Sequence, residues 1–446
     1  MRHADTIAAI ATAPGRAGIG VVRVSGPAVL NIAAAVVDRK LQARVATLCD
    51  FLDAKSAILD RGIAIFYSAP HSYTGEDVLE LQGHGGSAVL QLILRRCLDL
   101  GARPAQPGEF TQRAFLNDKL DLAQAESVAD LIDASSGAAA RGAMRSLAGE
   151  FSGRVGRLRD ALIELRTLVE ATLDFPEEEI DLLERAGVRE KLDRLRVGIT
   201  TLLAETEQGR ILRDGAKVVL IGEPNVGKSS LLNRLAEEEV AIVTEIPGTT
   251  RDPLRHELVM EGVPVHVVDT AGLREATDAV EKIGVQRAWR EIRQADLAVL
   301  IVDATVGITE AALKILAELP GGLKKIIIFN KIDLLKGSPA EVQSTSGIEI
   351  WLSAKTGKGL DLLRAALLRS IGWQPTEEGT FIARERHLQA LREAEGSLNR
   401  AADEAGSLEL MAENLRLAQQ AFVNITGEFS ADDLLGEIFS RFCIGK

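Results

Sequence analysis

The sequence is poor in the residues that disulfide frameworks and base-stacking surfaces require. Among its 446 residues there are three cysteines and two tyrosines, and only 4% of all side chains are aromatic. Three cysteines cannot make a disulfide framework in a chain of this size, which favours a reducing compartment. The low aromatic content weakens any case for nucleic-acid recognition through stacking platforms.

Long apolar runs and a surplus of positive charge are also missing. No apolar run approaches the ~20 residues that cross a bilayer, and the first residues lack a secretory apolar region. We therefore expect a soluble, cytoplasmic protein with no membrane partner. The 52 basic and 64 acidic residues give a net charge of −12, so the whole chain is not a general binder of polyanions. A local basic patch could still contact RNA.

The hydrophobic pattern changes along the chain and predicts about three structural units, at ~150 residues per domain. Short β-branched runs alternate with glycines from residue 6 to 118, with strands at 18–25, 62–67 and 78–81, which indicates an α+β domain. Apolar residues then recur at helical spacing from 120 to 213. Further helices are expected at residues 384–398, 408–423 and 431–442.

Between the two helical regions the sequence has the pattern of a doubly wound, mostly parallel sheet. Four continuous apolar runs end in polar residues, at 217–222, 265–269, 297–303 and 325–330, and helical stretches separate several of them. Such runs are typical of buried parallel strands. Helix before and after this α/β unit indicates that it is inserted into one discontinuous helical domain.

A phosphate-binding loop follows the first of these strands. Gly222 to Ser229 fits the pattern G-x-x-x-x-G-K-[ST] and is followed by a predicted helix at residues 230–235. The glycines let backbone N–H groups face phosphates, and the helix N-terminus adds positive potential. We expect Lys228 to reach the β- and γ-phosphates and the Ser229 hydroxyl to bind Mg²⁺.

Three later motifs identify the base as guanine. Asp269-Thr-Ala-Gly272 ends the next strong strand, which would bring a carboxylate near Mg²⁺ and the Gly272 N–H near the γ-phosphate. Asn330-Lys331-Ile-Asp333 ends a later strand, and Asp333 can accept hydrogen bonds from both N1–H and the 2-amino group of guanine. Adenine lacks that pair of donors. Ser353-Ala354-Lys355 offers a backbone amide for guanine O6.

The predicted switch segment contains threonines but no catalytic glutamine follows the glycine at 272. Thr249 and Thr250 lie between the phosphate-binding loop and Asp269, where a threonine can complete the Mg²⁺ shell and sense the γ-phosphate. Ras-like enzymes orient the attacking water with a glutamine at the position that Leu273 occupies here. Because leucine cannot bind water and no arginine finger is apparent, another group must supply both functions.

The motifs taken together resemble one family. The loop Gly-x-Pro-Asn-x-Gly-Lys-Ser-Ser, the Pro-Gly-Thr-Thr-Arg-Asp switch and Asp-Thr-Ala-Gly-Leu-Arg resemble bacterial GTPases with a hydrophobic residue in place of the glutamine. Flanking blocks at residues 72–86, 107–126 and 442–446 resemble the tRNA-modification GTPase MnmE (TrmE) family. The resemblance covers the whole chain. It implies a tetrahydrofolate-binding and dimerisation domain at 1–118, a helical domain at 119–213 and 374–446, and a Ras-like G domain at 214–373.

This resemblance also implies an activity and partners. The family is homodimeric and works with the FAD-binding protein MnmG, with which it forms a heterotetramer. Together they place an aminomethyl or carboxymethylaminomethyl group on C5 of the wobble uridine (position 34) of certain tRNAs. A bound 5-formyl- or 5,10-methylene-tetrahydrofolate relates to the one-carbon unit. The folate contacts fall on Arg23, Glu80, Lys119 and Lys446, whose charges suit the pterin edge and the glutamate tail.

The resemblance further implies how the missing glutamine and arginine are replaced. A K⁺ ion is held by oxygens at Asn225, Thr244, Ile246 and Thr249 when two G domains meet, and Glu281 orients the water. A fixed cation between phosphates stabilises the transition state electrostatically. Ser229 and Thr250 are the expected Mg²⁺ ligands. The predicted nucleotide-binding residues are Asn225, Val226, Gly227, Lys228, Ser229, Ser230, Thr244, Glu245, Ile246, Pro247, Gly248, Thr249, Thr250, Asp269, Thr270, Ala271, Gly272, Asn330, Lys331, Asp333, Ser353, Ala354 and Lys355.

Two residues and two other functions stay open at this stage. Cys443 could act near the folate site or be an inert thiol, and His84 lies between glycines where an anion could bind. The chain could instead be a GTP-switch ribosome-assembly factor without modification chemistry. A dynamin-like membrane-remodelling GTPase is disfavoured, because no segment has the pattern of a basic amphipathic anchor.

Overall fold

The protein forms two compact units. The structure is a computed structural model that describes residues 5–174, 187–238, 255–269, 286, 288–345, 347–374, 380–404, 406–427, 438–440, 442, 443 and 445. The first unit is made of Met1–Ala129, Leu147–Leu192 and Gly396–Lys446, and the second of Asp130–Ser146 and Asp193–Glu395. Among the described residues, no helix is both long enough and apolar enough to cross a membrane.

Thirteen strands and thirteen helices are assigned among the described residues. The strands are β1 (Ile7–Ile10), β2 (Ala17–Ser25), β3 (Thr47–Leu52), β4 (Ile58–Tyr67), β5 (Val78–Gly85), β6 (Arg103–Pro104), β7 (Ala216–Ile221), β8 (Arg255–Met260), β9 (Val263–Asp269), β10 (Leu297–Asp303), β11 (Lys324–Asn330), β12 (Ala340–Ser344) and β13 (Gly347–Trp351). The helices are α1 (Val29–Val36), α2 (Ser87–Asp99), α3 (Glu109–Leu116), α4 (Leu122–Ile132), α5 (Gly137–Leu147), α6 (Glu150–Asp174), α7 (Val188–Asp214), α8 (Lys228–Glu238), α9 (Glu310–Glu318), α10 (Ile332–Leu335), α11 (Leu360–Ser370), α12 (Glu385–Asp403) and α13 (Leu408–Thr426).

The first unit contains a six-stranded sheet in the order β3-β4-β5-β2-β1-β6. All neighbours are antiparallel except β1 and β6. Because side chains alternate along a strand, Val22 and Val24 face one core together with Leu79 and Leu81 of β5. Helices α1 and α2 pack on that face, which confirms the predicted α+β fold.

The opposite face of this sheet is partly covered and partly open. Ile7 and Ala9 pack with Phe110 of α3. Further along the sheet, Leu48 is the register partner of Ile63, and both are exposed. The first unit therefore presents apolar side chains on its outer strands.

Strand β5 continues further than its sequence indicates. The expected strand ends at Leu81 and leads through Gly83 into a turn, but pairing with β2 extends to Gly85, opposite Ala17. A Cβ atom on Gly83 would lie 2.4 Å from Oδ2 of Asp60, and one on Gly85 would lie 2.5 Å from the carbonyl oxygen of Ala17. The glycines are therefore required for close packing along the strand.

The second unit is built on a seven-stranded sheet in the order β12-β13-β11-β10-β7-β9-β8. Strands β13, β11, β10, β7 and β9 are parallel, and β12 and β8 are antiparallel edge strands. Continuous burial along β10 reflects the packing of both faces, against separate cores. The predicted doubly wound sheet is confirmed.

The helical prediction for residues 120–213 is also confirmed, by α4, α5, α6 and α7. The helices expected at 384–398 and 408–423 correspond to α12 and α13. Most of the helix expected at 431–442 lies outside the described residues. Within this range, the described residues 438–440 are helical.

Helix α5 is tied to the hairpin between β8 and β9. The hydroxyl of Ser136, just before the helix, donates to the carbonyl oxygen of Gly262 in the hairpin turn, 2.6 Å away. The same hydroxyl oxygen accepts from the N–H of Ala139 at 3.0 Å. A Cβ atom on Gly262 would lie 2.7 Å from that of Ala138, so only a glycine at this position lets the hairpin turn approach α5 so closely.

A second set of contacts joins the ends of the chain segments that enter and leave the sheet. Asp130 of α4 accepts from Arg213 at 2.8 Å and from Arg384 at 2.7 Å. Arg213 lies at the end of α7, immediately before β7, and Arg384 lies immediately before α12. One buried carboxylate thus holds both connections.

Candidate functional site

The loop between β7 and α8 needs glycine at two positions. Gly222 has a φ of 152° and Gly227 a φ of 103°. A Cβ atom on Gly222 would lie 2.4 Å from the carbonyl oxygen of Ile301, and one on Gly227 would lie 2.3 Å from Nδ2 of Asn330. Any other residue would be strained at both positions and would displace its neighbour.

The polar groups of this loop lie where the sequence predicts a phosphate site. Helix α8 begins at Lys228, and Ser229 and Ser230 are exposed in its first turn. Nζ of Lys228 donates to the carbonyl oxygens of Gly222 at 2.8 Å and Glu223 at 3.0 Å. A lysine at a helix N-terminus favours the binding of an anion.

Asn330 joins the phosphate-binding loop to the loop after β13. Its Nδ2 donates to the carbonyl oxygen of Val226 at 2.8 Å, and its Oδ1 accepts from the N–H of Ala354 at 2.9 Å. The side chain lies at the carboxyl end of β11 and is buried. Asn330 therefore brings two predicted parts of the nucleotide site into one arrangement.

The predicted guanine residues lie together at the same edge of the sheet. The buried hydroxyl of Ser353 donates to Oδ1 of Asp333 at 2.6 Å. Asp333 lies on the short helix α10, and Lys331, immediately before that helix, has a left-handed φ of 71°. Lys355 is exposed. A hydrogen-bonded, partly exposed carboxylate at this point can accept from two adjacent donors of a base.

Other polar residues near the loop are not apparent from the nucleotide motifs. The hydroxyl of Thr309, the N-cap of α9, donates to the carboxylate of Glu223. Asp303 accepts from Nζ of Lys331 at 2.7 Å. A cavity of about 170 Å³ lies here, lined by Asp303 and Lys331 and by apolar residues such as Val306 and Ile315. In the sequence, the only sign of Asp303 is that it is the polar residue that ends the apolar run at 297–303.

Part of the predicted site lies outside the described residues. For Asp269 the structure describes the backbone only, which ends β9 opposite Leu220. The predicted site residues that lie outside the described ranges are Thr244, Glu245, Ile246, Pro247, Gly248, Thr249, Thr250, Thr270, Ala271, Gly272, Glu281 and Lys446.

In the first unit, two predicted folate residues form an ion pair. Arg23 of β2 lies opposite Glu80 of β5, and its Nε and a terminal nitrogen approach Oε1 of Glu80 at 3.0 and 2.9 Å. The guanidinium lies 5.6 Å from the ring centre of Tyr73 and 5.7 Å from that of Phe110. The pair is partly exposed, with aromatic surface at its side. Charged hydrogen-bonding groups beside aromatic surface suit a planar heterocycle such as a pterin.

The chain terminus reaches the same place. A terminal nitrogen of Arg23 donates to the carbonyl oxygen of Gly445 at 3.4 Å. Gly108 donates its N–H to the carbonyl oxygen of Cys443 at 3.3 Å, and the side chain of Cys443 is exposed. Lys119 is exposed, and its Cε would lie 3.4 Å from a Cβ on Gly75, in the loop that carries Tyr73.

His84 is held by a carboxylate. Its Nδ1 lies 2.7 Å from Oδ1 of Asp60, and its backbone N–H donates to Oδ2 at 2.7 Å. Burial alone would raise the pKa of Asp60, but these hydrogen bonds lower it below the usual range. Asp60 thus orients the exposed imidazole of His84 and satisfies the backbone there.

Comparison with known proteins identifies the family. Residues 6–119 match the family described as the GTP-binding protein TrmE N-terminus, and residues 122–443 match the MnmE helical domain. The proteins called tRNA modification GTPase MnmE from Thiobacillus denitrificans and Nitrosomonas europaea are each 58% identical to this chain. The first covers 99% of this chain and 98% of its own length, and the second covers 100% of both. The corresponding protein of an Azoarcus species is 57% identical over 100% of this chain and 99% of its own. The chain belongs to the MnmE (TrmE) family of tRNA modification GTPases.

Proposed function

We propose that the protein is a potassium-activated GTPase that, with the FAD-binding protein MnmG, modifies C5 of the wobble uridine (position 34) of certain tRNAs. The GTPase class follows from the family. The position of Asn330 is the observation that carries the nucleotide site, because its side chain holds the phosphate-binding loop and the guanine-reading loops in register. This preorganisation lowers the entropy cost of binding a nucleotide.

The chain's own residues account for nucleotide binding. The P-loop N–H groups and Lys228 bind the phosphates, and Asp333, oriented by Ser353, accepts from guanine. Asn330, Lys331, Ala354 and Lys355 complete the base site. A carboxylate that would be left unpaired against adenine gives the site its specificity. The segments around Thr250 and Gly272 would close over the γ-phosphate.

Ser229 and Asn225 are the described members of the two metal sites that the family implies. The Ser229 hydroxyl is exposed at the start of α8, where a hydroxyl can bind Mg²⁺ alongside Thr250. Asn225 has an exposed amide and a left-handed φ of 65°, so its side chain is available to a hard cation such as K⁺. Thr244, Ile246 and Thr249 would supply the other oxygens. The bound K⁺ would add the positive charge that an arginine finger supplies in other GTPases.

Glu281 and Lys228 are the proposed catalytic residues of the hydrolytic step. Glu281 would orient the attacking water, since Leu273 at the usual glutamine position cannot hydrogen-bond. Lys228 would neutralise charge that develops on the phosphates. Hydrolysis would follow contact between the G domains of two protomers.

The first unit has the features of a tetrahydrofolate site. Arg23 and Glu80 present charged hydrogen-bonding groups next to Tyr73 and Phe110, and this chemistry fits a 5-formyl- or 5,10-methylene-tetrahydrofolate. Lys119 and Lys446 would bind the anionic tail. The folate would supply a one-carbon unit, and Cys443 is exposed next to the Gly445 that Arg23 contacts.

A homodimer is supported by exposed apolar side chains on β2, β3 and β4 of the first unit. Ile19, Leu48, Ile58 and Ile63 are 64%, 62%, 63% and 38% exposed. Burial of such side chains against a second copy would stabilise a dimer. The proposed MnmE-type assembly also contains MnmG and binds tRNA in the cytoplasm.

The K⁺ requirement is tested by measuring GTP hydrolysis in KCl and in NaCl at constant ionic strength. We expect much faster turnover in KCl for the natural protein and loss of that stimulation in Asn225→Ala, with GDP still bound. Gln343→Ala, an exposed change on β12, is the matched control. Equal rates in both salts would contradict the K⁺ proposal. Glu281→Ala should abolish hydrolysis and retain nucleotide affinity.

The folate site is tested by calorimetric titration with 5-formyl-tetrahydrofolate. Arg23→Ala and Glu80→Gln should each weaken binding, whereas Arg61→Ala should not. Arg61 is a matched control because it forms an exposed arginine–carboxylate pair with Asp50 on the same sheet, at 2.6 Å. Absence of folate binding by the natural protein would argue for a GTP switch without modification chemistry.

The substrate is tested by mass analysis of tRNA nucleosides from cells that lack the gene. We expect the loss of a C5-substituted wobble uridine and its return with the natural gene. Unchanged nucleosides would contradict the tRNA proposal and leave the GTPase class intact.

A further inference from the structure

Asp303 is the last residue of β10 and lies beside the predicted guanine loop. Strands β10 and β11 are parallel, and Asp303 is the register partner of Asn330. Parallel strands bring their carboxyl ends to the same edge of the sheet, where ligands of such folds bind. The N–H of Ala304 donates to the carbonyl oxygen of Asn330 at 2.8 Å, which fixes the two strand ends to each other.

Both carboxylate oxygens of Asp303 are engaged. Oδ2 accepts from Nζ of Lys331 at 2.7 Å, and Oδ1 accepts from the N–H and the hydroxyl of Thr305 at 2.9 and 2.7 Å. Partial burial would raise the pKa of Asp303, but the hydrogen bonds from Lys331 and Thr305 lower it below its usual range. The turn therefore holds an ionised carboxylate in one orientation toward Lys331.

Lys331 combines an uncommon backbone conformation with a long side chain. Its φ of 71° lies in the left-handed region, which residues with a Cβ atom seldom adopt. Its long side chain has many rotamers that would be lost on binding a nucleotide. An ion pair that is 31% and 20% exposed at its two ends fixes the ammonium group before any nucleotide arrives.

We propose that Asp303 is a positioning residue for guanine-nucleotide binding, and that it acts by holding Lys331 beside the base site. This inference rests on the proposed nucleotide site. Asp303 itself does not read guanine, because Asp333 presents the acceptor for the base. Removal of the Asp303 carboxylate should therefore weaken the binding of guanine and of hypoxanthine nucleotides by the same factor.

The test is a double-mutant cycle on the full-length protein with GDP and IDP as probes. In Asp303→Asn the amide nitrogen must face either the Thr305 N–H or Lys331, so one contact is lost in either orientation. We expect the Kd of GDP to rise about tenfold, and to rise less than about twofold when the same change is made in Lys331→Ala. The ratio of IDP to GDP affinity should remain that of the natural protein.

Controls separate a local effect from damage to the fold. Gln343→Ala, an exposed change on β12, should keep GDP affinity within about twofold. If Asp303→Asn does not fold, Asp303→Ser removes the carboxylate and keeps a hydrogen-bonding turn residue. Equal affinity losses in the natural and Lys331→Ala backgrounds would overturn the inference.

The inference and the proposed function fail differently. If the natural protein binds no guanine nucleotide, the proposed nucleotide site is wrong. If it binds GDP and neither Asp303 variant changes the Kd, only the role of Asp303 is overturned. A changed ratio of IDP to GDP affinity would also overturn it, because Asp303 would then affect the reading of the base.

Discussion

Nδ2 of Asn330 lies 2.8 Å from the carbonyl oxygen of Val226, so one buried side chain connects the guanine motif to the phosphate-binding loop. Asn330→Ala would leave that carbonyl and the Ala354 N–H without their partner. We expect a loss of about 2–4 kcal/mol in the free energy of unfolding of the second unit, from two buried unsatisfied groups. Nucleotide affinity should fall as well.

The stability loss is measured by urea unfolding followed by tryptophan fluorescence. The three tryptophans, Trp289, Trp351 and Trp373, all belong to the second unit, so the signal reports that unit. Gln343→Ala, on the exposed edge strand β12, should leave the midpoint unchanged. An unchanged urea midpoint for Asn330→Ala would mean that the two hydrogen bonds of the Asn330 side chain do not stabilise the second unit.

Exchange of the guanine-reading carboxylate should change base specificity. Asp333→Asn presents an amide donor where guanine also presents donors, so we expect GDP affinity to fall by about 10²-fold or more. Xanthosine diphosphate, whose base offers an acceptor at position 2, should bind to this variant more tightly than GDP. Competition titrations with both nucleotides measure this, and Asp361→Asn on exposed α11 is the control. Retained preference for GDP would exclude Asp333 as the reader.

The three thiols should differ in reactivity. Cys443 is exposed, whereas Cys49 and Cys97 are buried, and burial raises the pKa of Cys97 to about 12. Because the thiolate is the reactive form, a thiol reagent at pH 8 should label Cys443 quickly and the other two only after unfolding. Peptide mass spectrometry after a short pulse measures the sites. Fast labelling of Cys97 in the folded protein would contradict the described core.

Acid should weaken the first unit through a buried charge cluster. Arg113 is fully buried and contacts Asp5 at 2.9 Å, Glu76 at 3.0 Å and Glu109 at 3.0 Å, and Arg103 lies 2.5 Å from Glu109. Burial would raise the pKa of Glu109, but the hydrogen bond from Arg103 leads a set of contacts that lower it below its ordinary 4.5. A lowered folded-state pKa gives stability that is present above about pH 4.5 and is lost as pH falls through the folded-state value.

Glu109→Gln tests this dependence. It should destabilise the first unit by about 2–4 kcal/mol at pH 7, since it removes the charge-assisted hydrogen bonds that Glu109 accepts from Arg103 and Arg113. The difference from the natural protein should shrink at pH 4, because the Glu109 carboxyl of the unfolded chain then binds protons while the pKa of the folded carboxyl is lowered. Urea-dependent hydrogen exchange of peptides from residues 103–116 measures it, with exposed Glu164→Gln as control. A difference that is the same at both pH values would contradict the assignment.

Local patterns were sufficient for much of the second unit. The run from Lys217 to Gly222 and the loop to Ser229 have a unique order of strand, glycine turn and helix, and this order predicts both the fold and the phosphate site. The meeting of Asn330, Asp333 and Ser353 follows from parallel strands with adjacent carboxyl ends. The strand and turn predictions are confirmed because short stretches of neighbouring residues determine them, whereas the nucleotide-binding roles stay predictions.

Contacts between distant residues could not be predicted in this way. The cluster around Arg113 joins residues 108 positions apart, and a sequence pattern gives no register for such pairing. The same limit applies to Arg23 and Gly445, which are 422 positions apart. The extension of β5 through Gly85 was missed because glycines usually end strands, and only the packing against Asp60 and Ala17 reveals why they continue one.

The hydrogen bond between Ser136 and Gly262 has a mechanical consequence. The hairpin of β8 and β9 is directly followed and preceded in the chain by the segments 270–285 and 239–254, which carry the predicted γ-phosphate contacts. The hydrogen bond of 2.6 Å connects the hairpin turn directly to the start of α5. If binding of a molecule to α5 displaced the hairpin through this contact, thermodynamic reciprocity requires that nucleotide binding and binding at α5 would affect each other equally.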